Sequence, residues 1–209
     1  MAEETVLVIA CGALAREIKA LKQLNGWSHM RLYCLDAELH NRPELIPDRV
    51  QTTIREQRPH YAHIFVAYAD CGTGGLLDKV LAEEGVERLP GSHCYAFFAG
   101  LEAFDQIADE EPGSFYLTDF LTRHFERLVI KGLHLDQHPE LKEAFFCHYT
   151  RLVYLSQTQD AELVQAAKDA ADYLGLRFQH IHTGYGLLES SFKTIQPLTR
   201  PESSRDCAS

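Results

Sequence analysis

Three of the six cysteines stand where an apolar run gives way to a helical pattern, a position from which a thiol can do chemistry. In YADCGTGGLL the run ends at Tyr68, Asp70 precedes Cys71, and Gly72, Thr73, Gly74 and Gly75 lead into the next pattern. A thiol beside a helix N-terminus has its thiolate favoured by the dipole and by amides that lack a partner. Cys11 repeats this grammar in VIACGAL, and Cys94 follows His93 in PGSHCYAFFAG. A cysteine is otherwise among the most buried residue types and packs as a small hydrophobe. That reading goes to Cys34, inside a strand pattern, and to Cys147, inside a helical one. It fits Cys71 poorly, because glycine and polar residues flank it. Cys71 is therefore the expected reactive thiol, with Asp70 beside it as the second catalytic group.

The glycine turn matches neither GxGxxG nor GxxxxGK[ST], so no nucleotide site follows. Gly72, Thr73, Gly74 and Gly75 are instead expected to bind substrate, since amides at the head of the helix near Leu76 favour a carboxylate or phosphate. Gln157 and Tyr185, after the last two strand patterns, join that substrate-binding set. Among eleven histidines, His40 in LHNRPELIP and His93 are expected as ligands; His134, His138 and His148 read as surface or cap residues.

Thiols gathered at one edge have two uses. Cys11, Cys71 and Cys94, with His40 or His93, can hold zinc and leave a position open for water or substrate. An iron–sulfur cluster with one open iron is an alternative to zinc for the same thiols. Alternatively, Cys11 and Cys71 face each other without metal as an acid–base or nucleophile pair.

The elements that would position these residues are strands at 5–10, 30–35, 63–68 and 86–90, separated by helical patterns. Strand followed by helix, four times in ninety residues, indicates an α/β fold with a mostly parallel sheet and flanking helices. Right-handed crossovers then put every strand-to-helix loop at one edge, where such folds bind ligands. Residues 95–150 read as a helical middle section, an insertion or cap, before strands at 151–156 and at RFQHIHTGYG. A single domain is expected over 1–195, with a frayed polar tail at 196–209 that contains Cys207.

Composition narrows the partners. Asp plus Glu number 30 against 20 Lys plus Arg, a net charge of −10 that disfavours nucleic acid and anionic membranes. No apolar run reaches the ~18 residues of a membrane span, and the start MAEETVLVIACG lacks a basic leader, so a cytoplasmic location is expected.

ACGAL, LHNRPELIP, YADCGTGG, PGSHCYAFFAG, GSFYLTDFLTRHFERLVIKGL and TGYGLLE together resemble an uncharacterised prokaryotic domain-of-unknown-function family often found with corrinoid-dependent methyltransferase systems. The resemblance spans about residues 5–190. It implies a role near one-carbon metabolism, with a corrinoid protein or methyltransferase as partner. The expected function is thus a zinc-thiolate enzyme or accessory protein of corrinoid-linked methyl transfer acting on a small molecule. A metal-free two-thiol enzyme is the alternative. A third class is a non-catalytic partner of a corrinoid protein, with YAFFAGLEAF as its contact face.

Overall fold

Every residue of β1 (Val6–Cys11) is buried. The reason is its place in the computed structural model, which describes residues 5–195: β1 lies between β2 (Met30–Leu35) and β3 (His63–Ala67), parallel to both. A parallel strand covered on both faces has no use for alternation, hence the unbroken apolar run. The short β4 (Glu87–Arg88) pairs with β3 and completes a four-stranded sheet of order β2-β1-β3-β4. The crossovers run through α1 (Ala15–Leu24), α2 (Ile46–Gln57) and α3 (Leu76–Glu84). Tail residues 196–209, with Cys207, lie outside the described residues.

After α4 (Cys94–Ala99) and α5 (Leu101–Glu110) the chain builds a second parallel sheet. Its strands are β5 (Ser114–Thr118), β6 (Arg151–Ser156) and β7 (Arg177–His182), in that spatial order. Between β5 and β6 lie α6 (Asp119–Arg123), a π-helical turn Glu126–Lys131 and α7 (Leu141–Phe146); α8 (Ala161–Leu174) links β6 to β7. The α/β class holds, with two parallel sheets in place of one. The difference arises at β5, inside the section expected to be helical. Apolar residues 117, 120 and 121 have helical spacing, but Phe115, Tyr116 and Thr118 favour a strand. Thr118 ends it by turning its hydroxyl to the Leu121 amide at 3.4 Å, capping α6.

The last helix, α9 (Leu187–Lys193), returns to the first sheet, where Phe192 meets Trp27 and Phe65 edge to face. Its entry point is Gly186, at φ 50°. A Cβ there would run into the carbonyl oxygens of Phe97 and Phe98, so only glycine lets α9 approach the end of α4. The two sheets keep separate apolar cores, the larger around β1 and β3, the smaller around β6 and α8.

Candidate functional site

Backbone pairing beyond β4 brings the thiols together. The amide of Asp70 donates to the Gly91 carbonyl at 3.1 Å and that of Cys71 to Ser92 at 2.8 Å. Residues 91–94 are thereby laid along the end of β3, and the Cys71 and Cys94 sulfurs stand 3.5 Å apart, both buried. Cys71 adopts φ 52°, a left-handed conformation that costs a residue with a Cβ about 1–2 kcal/mol. Strain of this kind at a non-glycine residue points to a side chain retained for use.

The two thiols are inequivalent. The hydrogen bond from Cys94 holds the Cys71 thiol below its ordinary value; backbone amides of Ala69 and Cys94 assist against the opposing effect of burial. Cys94, donating that bond and fully desolvated, is pushed well up. The proton they share is therefore held more firmly by Cys94 than by Cys71. Cys11, at the end of β1, is pushed up to about 12 by burial, and the charge of Cys71 adds to the rise. The hydroxyl of Tyr68 faces Cys11 and is buried without a well-formed hydrogen bond. Among the described residues, no three His, Cys, Asp or Glu side chains are gathered as a metal ion requires.

Cys94 also lines a cavity of about 190 Å³ at the junction of the two sheets. Ala13, Leu14, His40 and Asn41 come from the turns after β1 and β2, Tyr95 and Phe98 from α4, and Phe115, Thr118, Phe120 and Leu128 from the second unit. Cys71 lies behind Cys94 and does not line it. The imidazole of His40, in the 3-10 turn Ala37–Asn41, is held below its ordinary value by burial and by His93. Its Nδ1 is buried with no partner.

Other expected residues are committed elsewhere. The Asp70 carboxylate accepts from the Thr73 hydroxyl at 2.6 Å and from the amides of Gly75 at 2.8 Å and Gly74 at 3.1 Å. The anion at the head of α3 is therefore Asp70 itself, and the Gly74 and Gly75 amides are spent on it. Gly72 packs toward Pro43. Gln157 is buried, its side chain accepting from the Asp119 amide at 2.9 Å and donating to the Leu155 carbonyl at 2.7 Å, in the second sheet. Tyr185 packs on the first core. His93 precedes α4 and lies 6.3 Å from the Tyr95 ring. Cys34 and Cys147 are exposed, contrary to their expected burial. Cys34 sits on the edge strand β2, which has one covered side only, and Cys147 follows the last turn of α7. Sequence reasoning missed Tyr68, Asn41 and Tyr95; the aromatic run around Cys94 was the available signal for Tyr95.

No curated protein matches this chain. Among solved structures, ornithine carbamoyltransferase from Pyrococcus furiosus aligns at 14% identity with a TM-score of 0.30, over 86% of this chain. The chain spans 55% of that protein's length, about half. The model of the family described as "Protein of unknown function (DUF1638)" matches residues 34–192, and the chain belongs to that family.

Proposed function

We propose that this family member is a thiol-dependent enzyme in which Cys94 and Cys71 act as one unit. Cys94 faces the cavity and forms the covalent bond to an electrophilic carbon of a small substrate. Its proton passes to the Cys71 thiolate, and the electron pair released at carbon stays with the substrate or its leaving group. Cys71 is then the base, and Cys94 the nucleophile. The observation that carries this reading is the 3.5 Å contact between two inequivalent buried thiols, only one of which borders the cavity.

A second reading, zinc, is supported by the closeness of Cys11 to the same pair and by the unpartnered His40 Nδ1. Cys11, Cys71 and Cys94, with His40 or His93, would hold the ion, which supplies Lewis acidity toward a bound water or thiol. Either reading suits the corrinoid-linked methyl transfer that the family resemblance implies, a thiolate being a competent methyl acceptor. A corrinoid is far larger than the cavity, so it would reach this chain on a partner protein.

The test is alkylation by N-ethylmaleimide, mapped by mass spectrometry because the exposed Cys34 and Cys147 will react too, alongside metal content after anaerobic purification. The two-thiol reading expects labelling at Cys94 in metal-free protein, unchanged by chelator, and slowed at least tenfold in Cys71→Ser. Bound zinc, with Cys94 protected until a chelator removes it, would move the assignment to the metal reading. Cys94 labelled no faster in the wild type than in Cys71→Ser would remove the acid–base role of Cys71.

A further inference from the structure

The cavity restricts what Cys94 can meet, and the restriction is chemical as well as steric. No Asp, Glu, Lys or Arg lines it among the described residues. Tyr95, Phe98, Phe115 and Phe120 give it aromatic walls, and Leu121, Leu128 and Val129 close it. A charged ligand would lose its hydration there and gain no counter-charge. Its volume of about 190 Å³ compares with the roughly 150 Å³ of an apolar cavity that accepts benzene. That is room for a ring, or an aliphatic body of similar size, with a small substituent.

One lining residue, His40, carries an unpartnered polar atom. His40 Nδ1 is buried without a hydrogen bond, a state that costs a folded protein free energy unless a ligand fills it. The nearby Asn41 amide is turned to the Leu128 carbonyl at 3.5 Å, across the junction of the two units. The imidazole is thus the anchor the apolar walls lack.

We infer that the cavity binds a small uncharged molecule with an aromatic or aliphatic body and a single hydroxyl or carbonyl, which hydrogen-bonds to His40 Nδ1 and directs the body past Cys94. This names the substrate class for the thiol pair and rests on that reading for its chemistry, though not for its binding. Recognition comes from two sources. The walls reject charge, and the unpartnered nitrogen rejects molecules that cannot pair with it, because such a ligand leaves it unsatisfied.

Calorimetric titration of the full chain at neutral pH tests this with three probes of similar size: phenol, toluene and benzoate. Phenol should bind saturably and slow N-ethylmaleimide labelling of Cys94, toluene should bind more weakly, and benzoate should not bind. In His40→Leu, phenol should lose about tenfold in affinity, the worth of one hydrogen bond, while toluene keeps its own. Leu128→Phe, which fills the cavity, should weaken phenol and toluene together. Benzoate binding as tightly as phenol, no binding of phenol, or phenol affinity unchanged in His40→Leu would each overturn the inference. An inert Cys94 in a chain that still binds phenol through His40 would instead sink the covalent chemistry and leave the ligand class standing.

Discussion

Cys71 carries backbone strain and an eased ionisation on the same residue, while Cys11, beside it, is held neutral. The difference is hydrogen bonding: Cys71 receives a thiol and two amides, whereas burial dominates at Cys11. Because Cys11 lies at about 12 in the fold against an ordinary 9.0, its stabilising effect is intact below pH 9 and is lost as pH rises toward 12. The whole difference is worth about 4 kcal/mol. Denaturant titrations from pH 8 to 11 should show wild-type stability falling more steeply than that of Cys11→Ala; parallel curves would show that the thiol ionises freely. The placement of these cysteines at strand ends was legible in the sequence, since the strand–Cys–Gly–helix order is local. Which thiol borders the cavity was not, because that depends on residues 91–94 pairing with the end of β3. Nor was the role of Asp70: an acidic residue before a glycine turn reads equally as a catalytic group or as the turn's own anion.

At the scale of elements, the site depends on α4, which carries Cys94 and is fixed from behind by α9 through Gly186. Gly186→Ala adds a Cβ that meets two backbone carbonyls and sits at positive φ, so roughly 1–3 kcal/mol of stability should be lost. In a chain of this size that lowers Tm by about 2–4 °C per kcal/mol. Because α4 must shift to relieve the clash, Cys94 labelling should change as well. A variant with wild-type Tm and labelling would show that α9 does not set α4. The TGYG motif was visible in the sequence only as a strand-ending loop, and its packing role needed the helix that precedes it by some ninety residues. The strand β5 escaped for a related reason: its apolar positions continue the helical spacing of the segment after it, and only its parallel pairing with β6 makes it a strand.

Across the whole molecule, the two sheets are stabilised unequally. β1 is central in the larger core and β6 in the smaller, and the cavity lies between their units. Native-state hydrogen exchange should therefore find the β1 amides slowest, the β6 amides next, and the edge strands β2 and β7 faster than either. Exchange in β6 slower than in β1 would show that the second unit, not the first, is the stable platform. The α/β class was legible from strand and helix alternation. The division into two sheets was not, because alternation counts strands without saying which of them pair. No described helix is long and apolar enough to cross a membrane.

The exposed Cys34 on the edge strand β2 has a consequence at the bench. Its thiol is free and pushed up by partial burial, so it oxidises slowly in neutral buffer and faster in alkaline buffer. Two molecules tethered there would run on a non-reducing gel as a band at twice the monomer mass, and elute from a sizing column as an apparent dimer. Reductant added before electrophoresis would return that band to monomer, with no bearing on how the chain assembles in its own surroundings.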